Sequence, residues 1–335
     1  MNSEYRVAAL SNEEAASAAP DRSEGEGSEF SLAEASEVRV GVVSNALHGQ
    51  RIDKTVVSLA PEFSRSHLQT LIEKGHVQLE GRVVQTASRR VSAGQRVSIE
   101  LIPTPESLAF RAEPMALNVV FEDSHLMVVN KPAGLVVHPA AGHWSGTLLN
   151  GLLAHHQAAF ALPRAGIVHR LDKDTSGLMV VGKTLIAVTA LVRAIAARIV
   201  HRQYLAIAHG AVGSKHMEID APVGRDPLSR VRMAVHHAGK PARTDVDLIL
   251  RTLDFSAVRC TLHTGRTHQI RVHMAAQGHP LVGDMVYGGR PALGMQRQAL
   301  HAARLSFAHP CADGALAFEA DAPEDFAAAL AQLKG

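Results

Sequence analysis

The stretch Gly166-Ile-Val-His-Arg-Leu-Asp-Lys-Asp-Thr-Ser-Gly-Leu-Met-Val-Val181 decides how this chain folds. A short apolar run leads into it at 166–168, and a longer one leaves it at 178–181. Two such runs around a glycine-containing turn predict two strands. The polar residues between them suit a catalytic loop held on a sheet. The alternative is a charged turn in which Asp172 or Asp174 caps the next element.

Composition limits the class of protein. The chain has 335 residues, of which 46% are hydrophobic and 20% charged, enough for more than one domain. Its two cysteines, Cys260 and Cys311, lie far apart, which excludes a disulfide framework and fits a cytoplasmic protein. No apolar run approaches the length of a membrane span, and the N-terminus lacks the pattern of a secretory signal.

Charge is distributed unevenly along the chain. Residues 1–37 contain nine acidic and two basic side chains, a net charge of −7, so the total of +2 leaves +9 for the rest. This segment has almost no periodic apolar pattern, which predicts a disordered acidic tail. The basic remainder favours a polyanionic partner.

Residues 50–103 are predicted to form a small separate unit. Apolar residues at helical spacing indicate two helices, the second capped by Ser64 or Ser66 and ended near Gly75. Alternating apolar residues around Glu80-Gly81 then predict a hairpin. Three prolines between positions 102 and 115 predict a linker, placed at 104–116. A larger domain is expected at 117–335.

The small unit resembles the S4-type RNA-binding domain through Ser64-Arg-Ser-x-x-x-x-Leu-Ile-x-x-Gly-x-Val-x-Leu-x-Gly81. The resemblance implies that Arg65 and Lys74 contact RNA phosphates, which position RNA without reading its sequence. A solvated helix face is the alternative for these residues.

In the larger domain, His169-Arg-Leu-Asp-x-x-Thr-Ser-Gly177 resembles the signature of the RNA pseudouridine synthases that modify ribosomal RNA, most closely their bacterial large-subunit branch. In that family the aspartate of this motif is the essential catalytic residue, so the resemblance implies this role for Asp172. Asn130-Lys-Pro-x-Gly-x-x-x-His-Pro139 resembles the family's first motif, which is expected to shape the site beside the catalytic loop.

The resemblance implies two further catalytic residues. Tyr204 matches a tyrosine that stacks near the target base and can act as a base, and Arg202 fits the basic residue often found two positions earlier. The string 263–274 resembles the late motif, whose basic residue pairs with the catalytic aspartate. Arg271 is the first choice for that partner and Arg266 the second, because arginine can donate two parallel hydrogen bonds to a carboxylate.

Several basic residues are candidates for RNA contacts. His169 and Arg170 are expected to hold the opened RNA, and Arg266 is expected to bind it as well. The glycine- and proline-rich stretch 222–242 is predicted to be an RNA-facing loop, with Arg225, Arg230, Arg232 and Lys240.

Neither a metal nor a cofactor is expected. His263, His268 and His273 recur at five-residue steps, which do not share one helix face, and no cysteine or carboxylate completes a ligand set. The chain has no phosphate-binding glycine loop. In the implied reaction the bond from ribose C1′ to uracil N1 breaks, the base turns and C1′ joins C5, with no redox change.

The implied chemistry leaves the role of Asp172 open. The carboxylate could stabilise positive charge on the sugar, attack it covalently, or remove the C2′ proton. The target uridine must leave its stack, so base flipping is expected. The implied partner is large-subunit ribosomal RNA, bound by a monomer. Alternatives are a non-catalytic RNA-binding protein, a synthase acting on tRNA, and a hydrolase using Ser176, which lacks the Gly-x-Ser-x-Gly elbow.

The implied fold is α+β, with a mixed, largely antiparallel sheet in the catalytic domain beside the small S4-like α/β unit. The residues themselves predict strand, turn and strand across 126–138, paired strands at 244–253 and 255–262, and a terminal helix at 323–333. A stripe at helical spacing is predicted to be core: Leu185, Val188, Val192, Ile195 and Ile199.

Overall fold

The structure is a computed structural model that describes residues 37–102, 109–140, 142–229 and 232–334. Within these ranges the chain divides into two compact units, separated between Ala109 and Phe110. The predicted acidic tail lies outside the described residues up to position 36, as does the predicted linker up to position 108. No helix in the described ranges is long and apolar enough to cross a membrane.

The smaller unit packs two helices on a four-stranded antiparallel sheet with the order β1-β4-β2-β3. Its elements are β1 Glu37–Val42, α1 Ile52–Leu59, α2 Arg65–Glu73, β2 Val77–Leu79, β3 Arg82–Val83 and β4 Arg96–Leu101. Ile52, Leu68 and Ile99 are among the fully buried side chains of its single core. The sheet includes β1, which precedes the start at residue 50 that the sequence suggested.

Local signals in this unit predicted its turns correctly. The Ser64 hydroxyl accepts a hydrogen bond from the backbone N–H of His67 and so caps α2. Gly75 follows that helix with φ of +86°. Glu80 and Gly81 have φ of 52° and 75°, the left-handed pair that a two-residue hairpin turn requires.

The larger unit is built on a nine-stranded sheet in which eight strands follow the order β5-β6-β7-β14-β8-β13-β12-β9, while β15 pairs with β14. The strands of the larger unit are β5 Val119–Glu122, β6 Leu126–Lys131, β7 Ser176–Gly182, β8 His201–His209, β9 His216–Asp220, β10 Val223–Arg225, β11 Met233–Val235, β12 Arg243–Arg251, β13 Phe255–Leu262, β14 Leu300–Ala308 and β15 Ala315–Glu319. Of these, β10 and β11 form a separate two-stranded sheet. Its α-helices are α3 Leu148–His155, α4 Leu185–Ala196, α5 Gln269–Ala276 and α6 Glu324–Lys334. The pairing of β14 with β7 is parallel and the other pairings are antiparallel, which confirms the mixed, largely antiparallel α+β fold.

The central strands are buried on both faces. Along β7, Met179 and Val181 join one core cluster, while Leu178 and Val180 join another on the opposite face. A strand covered on both sides has no solvent face, so its sequence is continuously apolar rather than alternating. This explains the run at 178–181, which leads directly out of the polar loop that begins at His169.

Two predicted strands are wrong. The run at 166–168 forms only an isolated bridge between Ile167 and Val181. A 3-10 turn, Pro163–Gly166, takes up the start of this run, so too few residues remain in extended conformation for a strand. Residues 135–138 likewise form no strand. The Val136 and Val137 carbonyls instead accept hydrogen bonds from the backbone at the start of α3.

The predicted core stripe on α4 is also partly wrong. The buried side chains of this helix are Ala187, Val188 and Leu191, whereas Leu185 and Val192 are about half exposed, at 58% and 48%. The spacing identified the helix correctly but not which of its apolar faces packs on the sheet, because both faces carry large aliphatic residues.

We expect Gly177→Ala to destabilise the larger unit. Gly177 has φ of +117°, and an added methyl group would overlap the backbone of Ala302 on β14. Overpacking costs about 1–3 kcal/mol and a left-handed non-glycine residue about 1–2 kcal/mol, so a loss of about 3 kcal/mol is expected in urea unfolding.

Gly278→Ala is the matched control. Gly278 has φ of +81°, but nothing lies within 4 Å of the added methyl group, so only the backbone cost of about 1–2 kcal/mol applies. Equal losses in the two variants would show that the contact with β14 does not matter.

Candidate active site

A cavity of about 630 Å³ opens within the larger unit. It brings together six of the predicted site residues: His169, Arg170, Asp172, Tyr204, Arg266 and Arg271. Six arginines line it: Arg164, Arg170, Arg198, Arg202, Arg266 and Arg271. Among the described residues of its lining, Asp172 is the only carboxylate. The cavity is therefore strongly basic around one acidic group.

Asp172 is held by Arg271, as predicted for that pair. The Nη1 of Arg271, on α5, donates to Oδ2 of Asp172 at 3.0 Å. The same guanidinium donates through Nε and Nη2 to the two oxygens of Asp284, at 2.7 and 2.8 Å. Asp284 is 1% exposed, whereas the side chain of Asp172 is 16% exposed. Arg271 is thus fixed from behind by a buried carboxylate and presents its remaining edge to the reactive one.

Burial lowers the pKa of Arg271, but its bonds to Asp284 and the charge of Asp172 outweigh burial and raise the pKa. The guanidinium is therefore charged at any pH at which the protein is folded. Its positive charge lies directly beside the carboxylate of Asp172.

A second group approaches Asp172 from the start of α5. His268 Nε2 lies 3.8 Å from Oδ1 of Asp172, and its Nδ1 lies 2.7 Å from the hydroxyl of Tyr287. That hydroxyl accepts the backbone N–H of Met233. Burial lowers the pKa of His268 despite the nearby Asp172. Burial therefore favours a neutral imidazole beside the carboxylate.

The loop that carries Asp172 is tied down by buried Lys131. Its Nζ donates to the carbonyls of Pro132, Leu135 and Lys173 at 2.7–2.9 Å. The Gly134 N–H also donates to the Lys173 carbonyl. Burial lowers the pKa of Lys131 to about 8. The first family motif therefore shapes the site, as expected, by clamping the backbone one residue after Asp172.

The far end of the same loop is held by residues next to and on β14. Arg297 donates to the carbonyl of Asp174 at 2.9 Å and forms a two-pronged pair with Asp325 on α6. His301 accepts from the hydroxyl of Ser176 at 2.9 Å. Ser176 is 3% exposed and does not line the cavity, so its place does not favour the hydrolase alternative.

Tyr204 lies on β8 and lines the cavity, and only 5% of it is exposed. Burial raises the pKa of its hydroxyl, with Arg202 opposing and Asp172 adding to the shift. The side chain is therefore a neutral phenol at neutral pH in the wall of the cavity.

The predicted RNA-contact residues differ in their surroundings. Arg170 is exposed at the cavity, whereas His169 is partly buried and accepts the backbone N–H of Val180 through Nε2 at 3.0 Å. Burial, with the charge of Arg202, lowers the pKa of His169 to about 3. Arg266 donates through Nε to the Pro241 carbonyl.

The remaining candidates lie away from the cavity lining. Arg225 is exposed at the end of β10, a strand paired with β11, so part of the predicted loop at 222–242 is a hairpin. Arg230 lies outside the described residues. In the smaller unit, Lys74 is exposed at the end of α2.

Arg65, also on α2, is 57% exposed, but its Nη2 donates to Asp53, which is fully buried. Burial would raise the pKa of Asp53, but hydrogen bonds from Arg65, Gln69 and Arg51 outweigh it and lower the pKa. Arg65 uses only Nη2 in this contact, so the rest of its guanidinium remains exposed to solvent.

Four contributors to the site were missed by sequence reasoning: His268, Asp284, Tyr287 and Arg297. Asp284 and Tyr287 follow the string 263–274 closely in the chain but are not part of it. A buried arginine with a fork of donors needs acceptors on more than one side, and a search for a second carboxylate would have pointed to Asp284. No group of three or more potential metal ligands occurs within the described ranges.

Comparison with known proteins agrees with this geometry. The sequence matches the RNA pseudouridylate synthase family over residues 125–276 and the S4 domain over residues 50–97. The ribosomal large subunit pseudouridine synthase D of Neisseria meningitidis serogroup B is 48% identical over 321 residues, which cover 92% of this chain and 85% of that protein. The Haemophilus influenzae protein of the same name is 45% identical over 299 residues, covering 85% of this chain and 92% of that protein.

A solved structure supports the fold alone. Human RNA Pseudouridylate Synthase Domain Containing 4 is 22% identical and covers 65% of this chain and 93% of its own, with a TM-score of 0.52. The chain belongs to the RNA pseudouridylate synthase family and carries an S4 domain. The predicted enzyme class, an isomerase that acts on uridine in RNA, is confirmed at the level of this family.

We expect Asp284→Asn to slow the reaction without preventing folding. Asparagine would present an amide N–H₂ to one of the two arginine donors that Asp284 now accepts, which leaves Arg271 misaligned behind Asp172. A lost charged hydrogen bond of about 1.5–3 kcal/mol corresponds to about a tenfold to hundredfold fall in rate. Single-turnover pseudouridine formation measures it.

Glu319→Gln is the control for that variant. Glu319 pairs with Arg304 at the surface, where the two side chains are 60% and 52% exposed. Such a pair is worth about 0–1 kcal/mol, so the rate should stay unchanged. An unchanged rate in Asp284→Asn as well would remove Asp284 from the catalytic arrangement.

We expect His169 to make the folded state sensitive to acid. Its pKa of about 3 lies below the ordinary value of 6.5, so between these values the unfolded chain binds the extra proton. The stability contribution is present above pH 6.5 and is lost as pH falls toward the folded pKa. Urea unfolding should show a steeper loss for wild type than for His169→Gln, by up to about 1.4 kcal/mol per pH unit. Parallel pH profiles would contradict this.

Proposed function

We propose that this chain isomerises specific uridines of large-subunit ribosomal RNA to pseudouridine, with Asp172 as the essential catalytic carboxylate. The single observation that carries the proposal is the isolation of Asp172 in the cavity. It is the only carboxylate among the described lining residues, it is paired with charged Arg271, and arginines surround it. A basic cavity with one ionised carboxylate suits an anionic substrate that develops positive charge at a sugar carbon.

The substrate assignment rests on the relatives. The Neisseria and Haemophilus proteins, at 48% and 45% identity, are named for the large ribosomal subunit, and this chain covers 85% and 92% of their lengths. An S4 domain in the same chain supports an RNA partner. We place the enzyme in the cytoplasm, where it would act as a monomer without metal or cofactor.

Binding would begin with charge. Arg170 and Arg266 at the cavity, Arg225 outside it, and Arg65 and Lys74 in the smaller unit would neutralise RNA phosphates and set the orientation of the strand. His169 would lie beside the opened strand. The target uridine would then leave its stack and enter the cavity beside Asp172.

Asp172 would act at the sugar once the uridine is bound. Held ionised by Arg271, it would attack C1′, stabilise the positive charge there, or remove the C2′ proton as the bond to N1 breaks. Each route needs the carboxylate deprotonated and correctly oriented, which the Arg271–Asp284 pair provides. The uracil would turn within the cavity and C5 would join C1′.

Tyr204 would complete the reaction by taking the C5 proton. Because burial raises its pKa, the free enzyme holds Tyr204 as a phenol. A phenol can accept that proton only while it passes its own proton to another acceptor. N1, freed from C1′, must gain a proton to complete pseudouridine, so it is the acceptor that balances the loss at C5. The flat ring would meanwhile stack on the uracil.

The test is to incubate the protein with unmodified large-subunit rRNA, without added metal or nucleotide, and to map pseudouridine by carbodiimide-stop sequencing. We expect new stops at specific uridines with wild type and none with Asp172→Asn, because the amide can neither attack nor accept a proton. Repeating with assembled subunits covers a substrate that exists only in the particle.

Asp174→Asn is the matched control, since it lies on the same loop but contributes only its carbonyl to the contacts described above. It should keep the stops. Stops on tRNA alone would redirect the substrate assignment, and no product from free rRNA, subunits or tRNA would refute the enzymatic proposal for this chain.

A further inference from the structure

Arg202 is buried in the cavity wall like Arg271 but, unlike Arg271, has no acidic partner among the described residues. It lies on β8 two residues before Tyr204, so both side chains leave the strand on the same face and both line the cavity. Arg202 is 6% exposed. Arginine is almost never buried to this extent unless it is paired.

No protein group pairs with it in the described part of the chain. The Arg202 side chain takes part in no hydrogen bond or salt bridge to those residues, and its buried Nε has no partner. The comparison with Arg271, which is 5% exposed, is direct, because that guanidinium contacts two carboxylates. An uncompensated buried charge is strongly unfavourable. Asp172, the only carboxylate in the described lining, is already bonded to Arg271.

The backbone around Arg202 is shaped to accept the guanidinium. A methyl group added at Gly265 would lie 2.8 Å from Nη1 of Arg202. The guanidinium therefore lies against the backbone of the loop that leads into α5.

A second unpartnered donor lies close by. His169 accepts the Val180 N–H through Nε2, so its neutral ring carries hydrogen on Nδ1, and Nδ1 is buried without a partner among the described residues. Both residues line the cavity, and each has one buried donor without a partner among the described residues.

We infer that Arg202, with His169 beside it, binds a phosphodiester group flanking the target uridine. The inference rests on the proposed function, because a flipped uridine brings its own two phosphates to the cavity with it. A phosphate supplies the anion that Arg202 lacks, and its oxygens match the planar donor fork. A uracil carbonyl would satisfy a hydrogen bond but would leave the buried charge uncompensated.

Arg202 is then a positioning residue. By holding one phosphate it fixes the distance from the backbone to C1′, while Asp172 and Tyr204 act on the sugar and base. Arg170 is exposed and contacts the strand outside, so it serves affinity, whereas Arg202 sets the depth to which the nucleotide enters.

The test uses a short RNA that contains a uridine mapped in the experiment above, made with the native phosphates or with a neutral methylphosphonate on the 5′ or the 3′ side of that uridine. Single-turnover assays give the half-saturating protein concentration and the maximal rate. We expect Arg202→Gln to raise the half-saturating concentration by about tenfold or more on native RNA. One of the two methylphosphonates should do the same to wild type.

The effects of Arg202→Gln and of the sensitive methylphosphonate on the half-saturating concentration should not be additive. With Arg202→Gln, the sensitive methylphosphonate should cause little further loss, since both changes remove the same contact. Arg202→Lys should recover part of the affinity, because it keeps the charge but not the fork. Arg304→Gln, an exposed arginine outside the cavity lining, is the control and should keep both parameters.

A stability measurement separates this role from a structural one. Because the free protein carries an unpaired buried charge, Arg202→Met should raise the melting temperature, by about 2 °C or more, while it weakens RNA binding. A lower melting temperature, or methylphosphonate effects that add to Arg202→Gln at both positions, would overturn the inference. Wild type that makes no pseudouridine in free rRNA, assembled subunits or tRNA would instead overturn the proposed function.

Discussion

The ion pair between Arg271 and Asp284 is the constraint on which the candidate active site depends. An arginine that contacted Asp172 alone would be free to swing. The buried carboxylate of Asp284 takes two of the guanidinium donors and so fixes the direction of the third. Breaking such a buried pair leaves an uncompensated charge, at a cost of about 3–5 kcal/mol. The two carboxylates and one arginine therefore act as a unit.

The rest of the structure holds the loop to this unit. Lys131 binds the carbonyl one residue after Asp172, Arg297 the next carbonyl, and His301 the hydroxyl of Ser176. These ties come from separate parts of the chain, so the loop lies between elements that cannot move independently. A loop held at successive residues loses little conformational freedom when substrate binds, and reacting groups held in place contribute directly to rate.

Arginine plays two different roles in one cavity. Arg271 is compensated within the protein and serves the carboxylate. Arg202 is equally buried but finds no acceptor in the described residues, so its charge is compensated only by what enters. The difference follows from position. Arg271 lies on α5 within reach of Asp284, whereas Arg202 extends from β8 to the backbone at Gly265. Burying a charge without a partner is costly, so an anionic ligand that supplies the partner would gain binding energy there.

The two-part organisation, the cap of α2 and the hairpin turn at 80–81 were predictable from local chemistry along the chain. The pairing of Asp172 with Arg271 was implied by the resemblance of the two motifs to the family. Two apolar runs were wrongly predicted as strands, and one face of α4 was wrongly predicted as core, because apolar character alone does not say which neighbour covers a residue. That Asp284, Tyr287 and Arg297 belong to the site became visible only in the folded chain. Arg271 meets Asp172 across 99 positions and Arg297 meets Asp174 across 123, and such contacts depend on strand order, which no local pattern carries.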